Sequence, residues 1–196
     1  MHKHRRTRRL LPLTGLASLA LLLLGCGPRV SSLEFTSFKD PYTPERYSLV
    51  LDECAYLTGP GDDYHIVGHA AHTPAGGGET QQYVHMHVFW KPWPGKTFDD
   101  SSSVDATIRY AIVTPQGAAV YCGTAFVYPK VKGPNDRVIA KVEDGRLRLE
   151  SQQGQPTDVL GPTRVRGTLI ARKNASLAMD LRRRLELTAG GATKPE

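Results

Sequence analysis

Val104-Asp105-Ala106-Thr107-Ile108-Arg109-Tyr110-Ala111-Ile112 is the stretch that decides the fold class. Apolar residues alternate there with mostly polar ones, which is the period of a strand buried on one face. Thr114-Pro115-Gln116-Gly117 follows, with proline and glycine at the positions a type I turn prefers. The segment after it, Ala118 to Tyr128, is rich in aromatic and small residues. The two segments predict a hairpin, and the rest of the chain is read outward from it.

A second hairpin is expected at Asp144-Gly145, a dipeptide suited to the positive φ of tight turns. It would join Val138-Ile139-Ala140-Lys141-Val142 to Leu147-Arg148-Leu149. Further strands are expected over Tyr47 to Tyr56, Tyr64 to Ala70, Tyr83 to Trp90 and Arg164 to Ala171. Glycine and proline punctuate the joins, as at Gly59-Pro60-Gly61 and Gly161-Pro162. Many short strands at this spacing predict a mainly β domain, an antiparallel β-sandwich or open barrel. Its end differs. Asn174 is a good N-cap, and Leu177, Ala178, Leu181 and Leu185 then fall on one helical face. A strand also fits the parity of Leu177, Met179 and Leu181, but Arg183 spoils that face, so a C-terminal α-helix is expected. Arg182 to Arg184 read as its solvated side, with anionic lipid headgroups as the alternative contact. Residues 188–196 are expected to form a disordered tail, which leaves 33–187 as a single domain.

The chain opens with a cationic stretch, Met1-His2-Lys3-His4-Arg5-Arg6-Thr7-Arg8-Arg9, followed by an apolar run from Leu10 to Leu24. A basic region ahead of a short apolar one is the layout of an export signal. The run is shorter than the roughly 20 residues of a spanning helix. Leu23-Leu24-Gly25-Cys26 resembles the lipobox of bacterial lipoproteins. That resemblance covers only the first 26 residues. It implies a signal peptide over 1–25, a diacylglycerol thioether on Cys26, cleavage before it, and acylation, for instance with palmitate, of the new amine. Residues 26–32 would be a lipidated tether holding the domain to a membrane in the cell envelope. Gly27, rather than aspartate, follows the cysteine, which favours the outer membrane. Thr7-Arg8-Arg9-Leu10-Leu11 also partly matches a twin-arginine signal, as any arginine-rich leader does.

The leader carries five of the 25 basic residues and none of the 19 acidic ones. The mature chain is therefore close to neutral, and the basic balance argues nothing about nucleic acid. Location excludes that partner as well.

With Cys26 committed to lipid, Cys54 and Cys122 remain. In an oxidising compartment an even pair predicts a disulfide. It would close a loop worth roughly 4 kcal/mol of chain entropy. Two buried free thiols are the competing reading.

All the histidines of the mature chain lie between positions 65 and 87: His65, His69, His72, His85 and His87. His85 and His87 are two apart, so on a strand both point to one face, while Val84, Met86 and Val88 take the other. One pairing register of the two strands brings His69 near His85 and His87. Three imidazoles with a water would hold zinc or copper; otherwise these are surface histidines on the wet side of a sheet. Trp93, in the stiff Trp90-Lys91-Pro92-Trp93-Pro94-Gly95 loop, offers a flat binding platform or a lid on one end of the core. The nucleophile elbow, the phosphate-binding glycine loop and HExxH are missing. The leading expectation is a non-enzymatic envelope module that binds a protein or an envelope polymer and needs no cofactor. The alternatives are a zinc or copper lipoprotein and an envelope hydrolase with a scattered site.

Overall fold

The computed structural model describes residues 30–61, 63–73, 78–89, 104–132, 137–154 and 158–191. The chain is mainly β with one C-terminal helix. Its strands are β1 (Ser32–Ser37), β2 (Glu45–Val50), β3 (Glu53–Thr58), β4 (Tyr64–His72) and β5 (Thr80–Val88). They continue as β6 (Ala106–Thr114), β7 (Gly117–Lys132), β8 (Arg137–Gly154) and β9 (Thr163–Lys173), and α1 (Ala175–Gly191) ends the chain.

From β3 to β9 each strand pairs antiparallel with the next. Seven strands of alternating direction begin and end pointing the same way. When β9 comes round to β3, the closing pair is therefore parallel, and it holds only Ala55 opposite Arg172 and Tyr56 opposite Lys173. β1 occupies the rest of that edge of β9, and β2 lies outside β1. The result is a mixed nine-stranded sheet bent into a ring rather than a clean barrel.

The ring is filled from alternate positions. Phe35, Ile66, Val84, Met86, Ile108, Tyr110 and Tyr121 are almost fully buried inside it. Burying side chains of this size stabilises by about 1.5–3 kcal/mol each. Phe35 stacks on Tyr47 and on Tyr110, with ring centroids 4.9 and 4.7 Å apart. A second, smaller core lies outside the ring. Ala55, Val67, Tyr83, Ala111 and Val120, one from each strand from β3 to β7, pack beneath Ala178, Leu181 and Leu185 of α1. The helix thus crosses five strands on the expected face. Asn174 caps it, its side-chain oxygen accepting from the Leu177 N–H at 3.0 Å.

The hairpin of β6 and β7 forms as read, with Thr114 opposite Gly117. Four other expectations are corrected. Asp144-Gly145 makes no turn: β8 runs straight through it as one 18-residue strand. The register slips between Val142 and Gly145, and Asp144 takes φ 44. The positive φ serves a bulge, which bends the strand and helps the ring close. Backbones approach closely there, and a Cβ on Gly123 would stand 1.7 Å from the Arg146 carbonyl oxygen.

The single strand expected over Tyr47 to Tyr56 is two. The Leu51 N–H donates to Ser31 and the Asp52 N–H to His69, so the chain changes partners between them. β1 was not foreseen, although Leu33 and Phe35 alternate with polar neighbours. The tail begins later than expected, because α1 continues through Thr188 to Gly191.

The expected disulfide is the fourth correction. Cys54 and Cys122 are both free thiols. Cys54 packs against the ring interior, whereas Cys122 follows the inward Tyr121 and so faces out. Strands β4 to β6 separate their strands. A disulfide needs Cα atoms within about 7 Å and converging Cβ vectors. Burial pushes the Cys54 thiol up to about 11.

Candidate metal centre

β4 and β5 pair over their full length, with His65 directly opposite His87 and Val67 opposite His85. On both strands the inward positions, Ile66, Val84 and Met86, are fully buried. His65, His85 and His87 consequently share the outer wall, and Met86 faces away from them. Asp63, one residue before β4, joins the group from the strand's end.

The geometry is tight. Asp63 Oδ2 lies 2.6 Å from His87 Nε2 and 3.4 Å from His65 Nε2. The His65 and His87 rings are stacked, with centroids 4.2 Å apart and planes within 9°. Three donor atoms, from Asp63, His65 and His87, lie within 4.8 Å of one another. Bonds of about 2.0–2.1 Å to a tetrahedral ion place neighbouring donors about 3.3 Å apart. His87 and Asp63 need only part by less than about 1 Å to reach that spacing. The second carboxylate oxygen, Asp63 Oδ1, is buried and has no hydrogen-bond partner among the described residues. A carboxylate oxygen left without a donor among imidazoles fits a cation.

Electrostatics suit the same use. The hydrogen bond from His87 holds the Asp63 carboxyl below its ordinary range, with the His65 ring helping and burial opposing. Burial lowers His65, the His87 ring and the Arg182 guanidinium add to that, and the Asp63 carboxylate opposes it. His85 is pushed down to about 3, by burial first and then by His65, Arg182, His87 and Arg109. At neutral pH Asp63 is ionised while His65 and His85 are neutral, the forms that ligate metals.

His85 stands behind His65 rather than beside Asp63. Its Nε2 is 3.2 Å from His65 Nδ1, so one ring donates to the other. A proton on His65 Nδ1 leaves the Nε2 lone pair free toward Asp63, which is how an outer histidine orients a ligand.

His69, expected in the cluster, is not in it. It lies opposite Tyr83 and stacks on that ring at 4.8 Å, with Glu53 3.9 Å from its Nδ1. Val67, under the helix, separates it from His65 on the shared face. His65 takes the place foreseen for His69, and Asp63 completes the set. Two dipeptide-spaced pairs, Asp63 with His65 and His85 with His87, were the signal available. Arg182 and Arg184 make helix ion pairs with Glu186 and Asp180 at 2.7 and 2.8 Å. Cys26 and Trp93 lie outside the described residues. No family model, no curated protein and no solved structure matches this chain.

Proposed function

We propose that the chain is a membrane-anchored envelope lipoprotein whose domain binds one divalent transition metal ion, zinc or copper, through Asp63, His65 and His87. The observation that carries this reading is the convergence of their three donor atoms within 4.8 Å. Two imidazoles and a carboxylate match a zinc set of three protein ligands and an open position. The donors are partly exposed, at 16 % for Asp63, 14 % for His65 and 32 % for His87, so a water or an outside ligand can reach that position. The reading favours the metal alternative over a module without cofactor, and it leaves the anchor at Cys26 as the sequence suggests.

Calorimetric titration of the purified protein with zinc and with copper tests it. The expected result is one saturable site in wild type that is lost in His65→Ala/His87→Ala. Indistinguishable heats from the two proteins would overturn the metal reading. Fatty-acid labelling of wild type and Cys26→Ser tests the anchor separately: labelling is expected in the first alone, and equal labelling would overturn it.

A further inference from the structure

The strands of the ring alternate in direction, so β7 ends, β8 begins and β9 ends at one rim. Lys132 of β7 stands directly opposite Arg137 of β8, and Arg137 directly opposite Arg172 of β9. Their neighbours Val138 and Ala171 point into the core, so the three cations form a row on the outside, all exposed. Like charges directly opposite one another destabilise a sheet. Three other strand cations are matched: Arg109 with Glu150, Arg166 with Glu34, Arg146 with Asp144. Among the described residues no carboxylate pairs with Lys132, Arg137 or Arg172. A row that costs the isolated fold points to an anionic surface outside it.

The chain itself says where that surface lies. The Ser31 hydroxyl accepts from the Ile170 N–H at 2.8 Å and donates to its carbonyl at 3.1 Å, two residues from Arg172. Val30 borders a surface pocket of about 530 Å³ together with Arg137 and Arg172, with Asp52 and Glu53 also in its lining. Val30, the first described residue, therefore lies beside the row. Four residues lead back from Val30 to Cys26, a reach of at most about 14 Å. A lipid on Cys26 would hold this rim, not the opposite one, within a Debye length or two of the headgroups. The positive end of α1 begins at the same rim, at Ala175.

We propose that Lys132, Arg137 and Arg172 form the membrane-facing surface and lie against anionic phospholipid headgroups. The proposal rests on the anchor reading of Cys26 and is independent of the metal site. It also moves the lipid contact away from Arg182 to Arg184, two of which are paired within the helix.

Flotation with vesicles of phosphatidylcholine, alone or mixed with phosphatidylglycerol, tests it on the full Cys26→Ser chain, which has no thioether. Each basic residue near an anionic surface raises partitioning about fivefold. Adding Lys132→Gln/Arg137→Gln/Arg172→Gln is therefore expected to weaken binding to the mixed vesicles by about a hundredfold. The leader, common to both chains, cancels. Thermal unfolding of the triple variant is expected at the same temperature or slightly higher, because repulsion has been removed. Equal flotation of the two chains, or a difference that persists on phosphatidylcholine alone, overturns the proposal. Fatty-acid labelling of the wild-type chain reports on the anchor by itself, so the failure of one reading does not pass for the failure of the other.

Discussion

Asp63 and Asp105 stand at the same rim of the ring, each one residue before a strand, and are tuned in opposite directions. Asp63 lies on the outer wall, where the His87 hydrogen bond keeps it ionised. Asp105 is fully buried. Burial lifts its carboxyl to about 6, although the Val127 N–H donates to it at 2.7 Å, and its Oδ2 has no partner among the described residues. Both carboxylates keep one oxygen unmatched. Only Asp63 has imidazoles converging on it and a path to solvent. The two acids share strand parity, each preceding a core-facing residue, Tyr64 and Ala106, so enclosure separates them. Along β5, by contrast, parity puts the packing residues on the inner wall and the candidate ligands on the outer one.

The largest effect expected from that division separates Met86 from its neighbour His87. Met86→Ala should destabilise the domain by about 2–5 kcal/mol in urea melts and leave metal affinity unchanged. His87→Ala should cost stability within about 1 kcal/mol and weaken metal binding. If both variants lost both properties, the two walls would not be separable.

The second prediction concerns Asp105. Its folded pKa lies above the unfolded value near 3.9, so its favourable contribution is complete below that value and is lost as pH rises through about 6. Above that window the buried carboxylate destabilises the fold. Asp105→Asn should therefore stabilise the protein at pH 7.5 by up to about 3 kcal/mol and do nothing at pH 3.5. Metal affinity should not change. A gain equal at both pH values would mean that the effect is not the charge.

The smallest is at the helix that roofs the outer wall. Asn174→Ala removes the cap and should cost about 1 kcal/mol. Loss of the whole fold would show that α1 holds the ring closed rather than covering it.

Much of this division was legible in the sequence where period and punctuation agreed. Val104 to Tyr128 alternates around a proline–glycine turn and forms its hairpin, and Asn174 with its leucines forms the helix. The misreadings have physical causes. Positive φ is needed both in tight turns and in bulges, so Asp144-Gly145 alone does not say which it makes. A register slip of two residues keeps every side chain on its own face and exchanges only its neighbours. The alternation therefore placed the histidines on one wall correctly, and it left His65 and His69 undecided as partners of His87. The ring topology puts Cys54 and Cys122 on opposite faces, and nothing local to either cysteine reports that.

The central claim is tested most directly by X-ray absorption at the zinc edge of the loaded protein. The account predicts two imidazole nitrogens at about 2.0–2.1 Å and a carboxylate oxygen at about 2.0–2.2 Å. One imidazole should disappear in His87→Ala and the carboxylate in Asp63→Ala, while His69→Ala leaves the spectrum unchanged. A shell that lacks imidazole, or one indifferent to Asp63 and His87 but altered by His69→Ala, would contradict it.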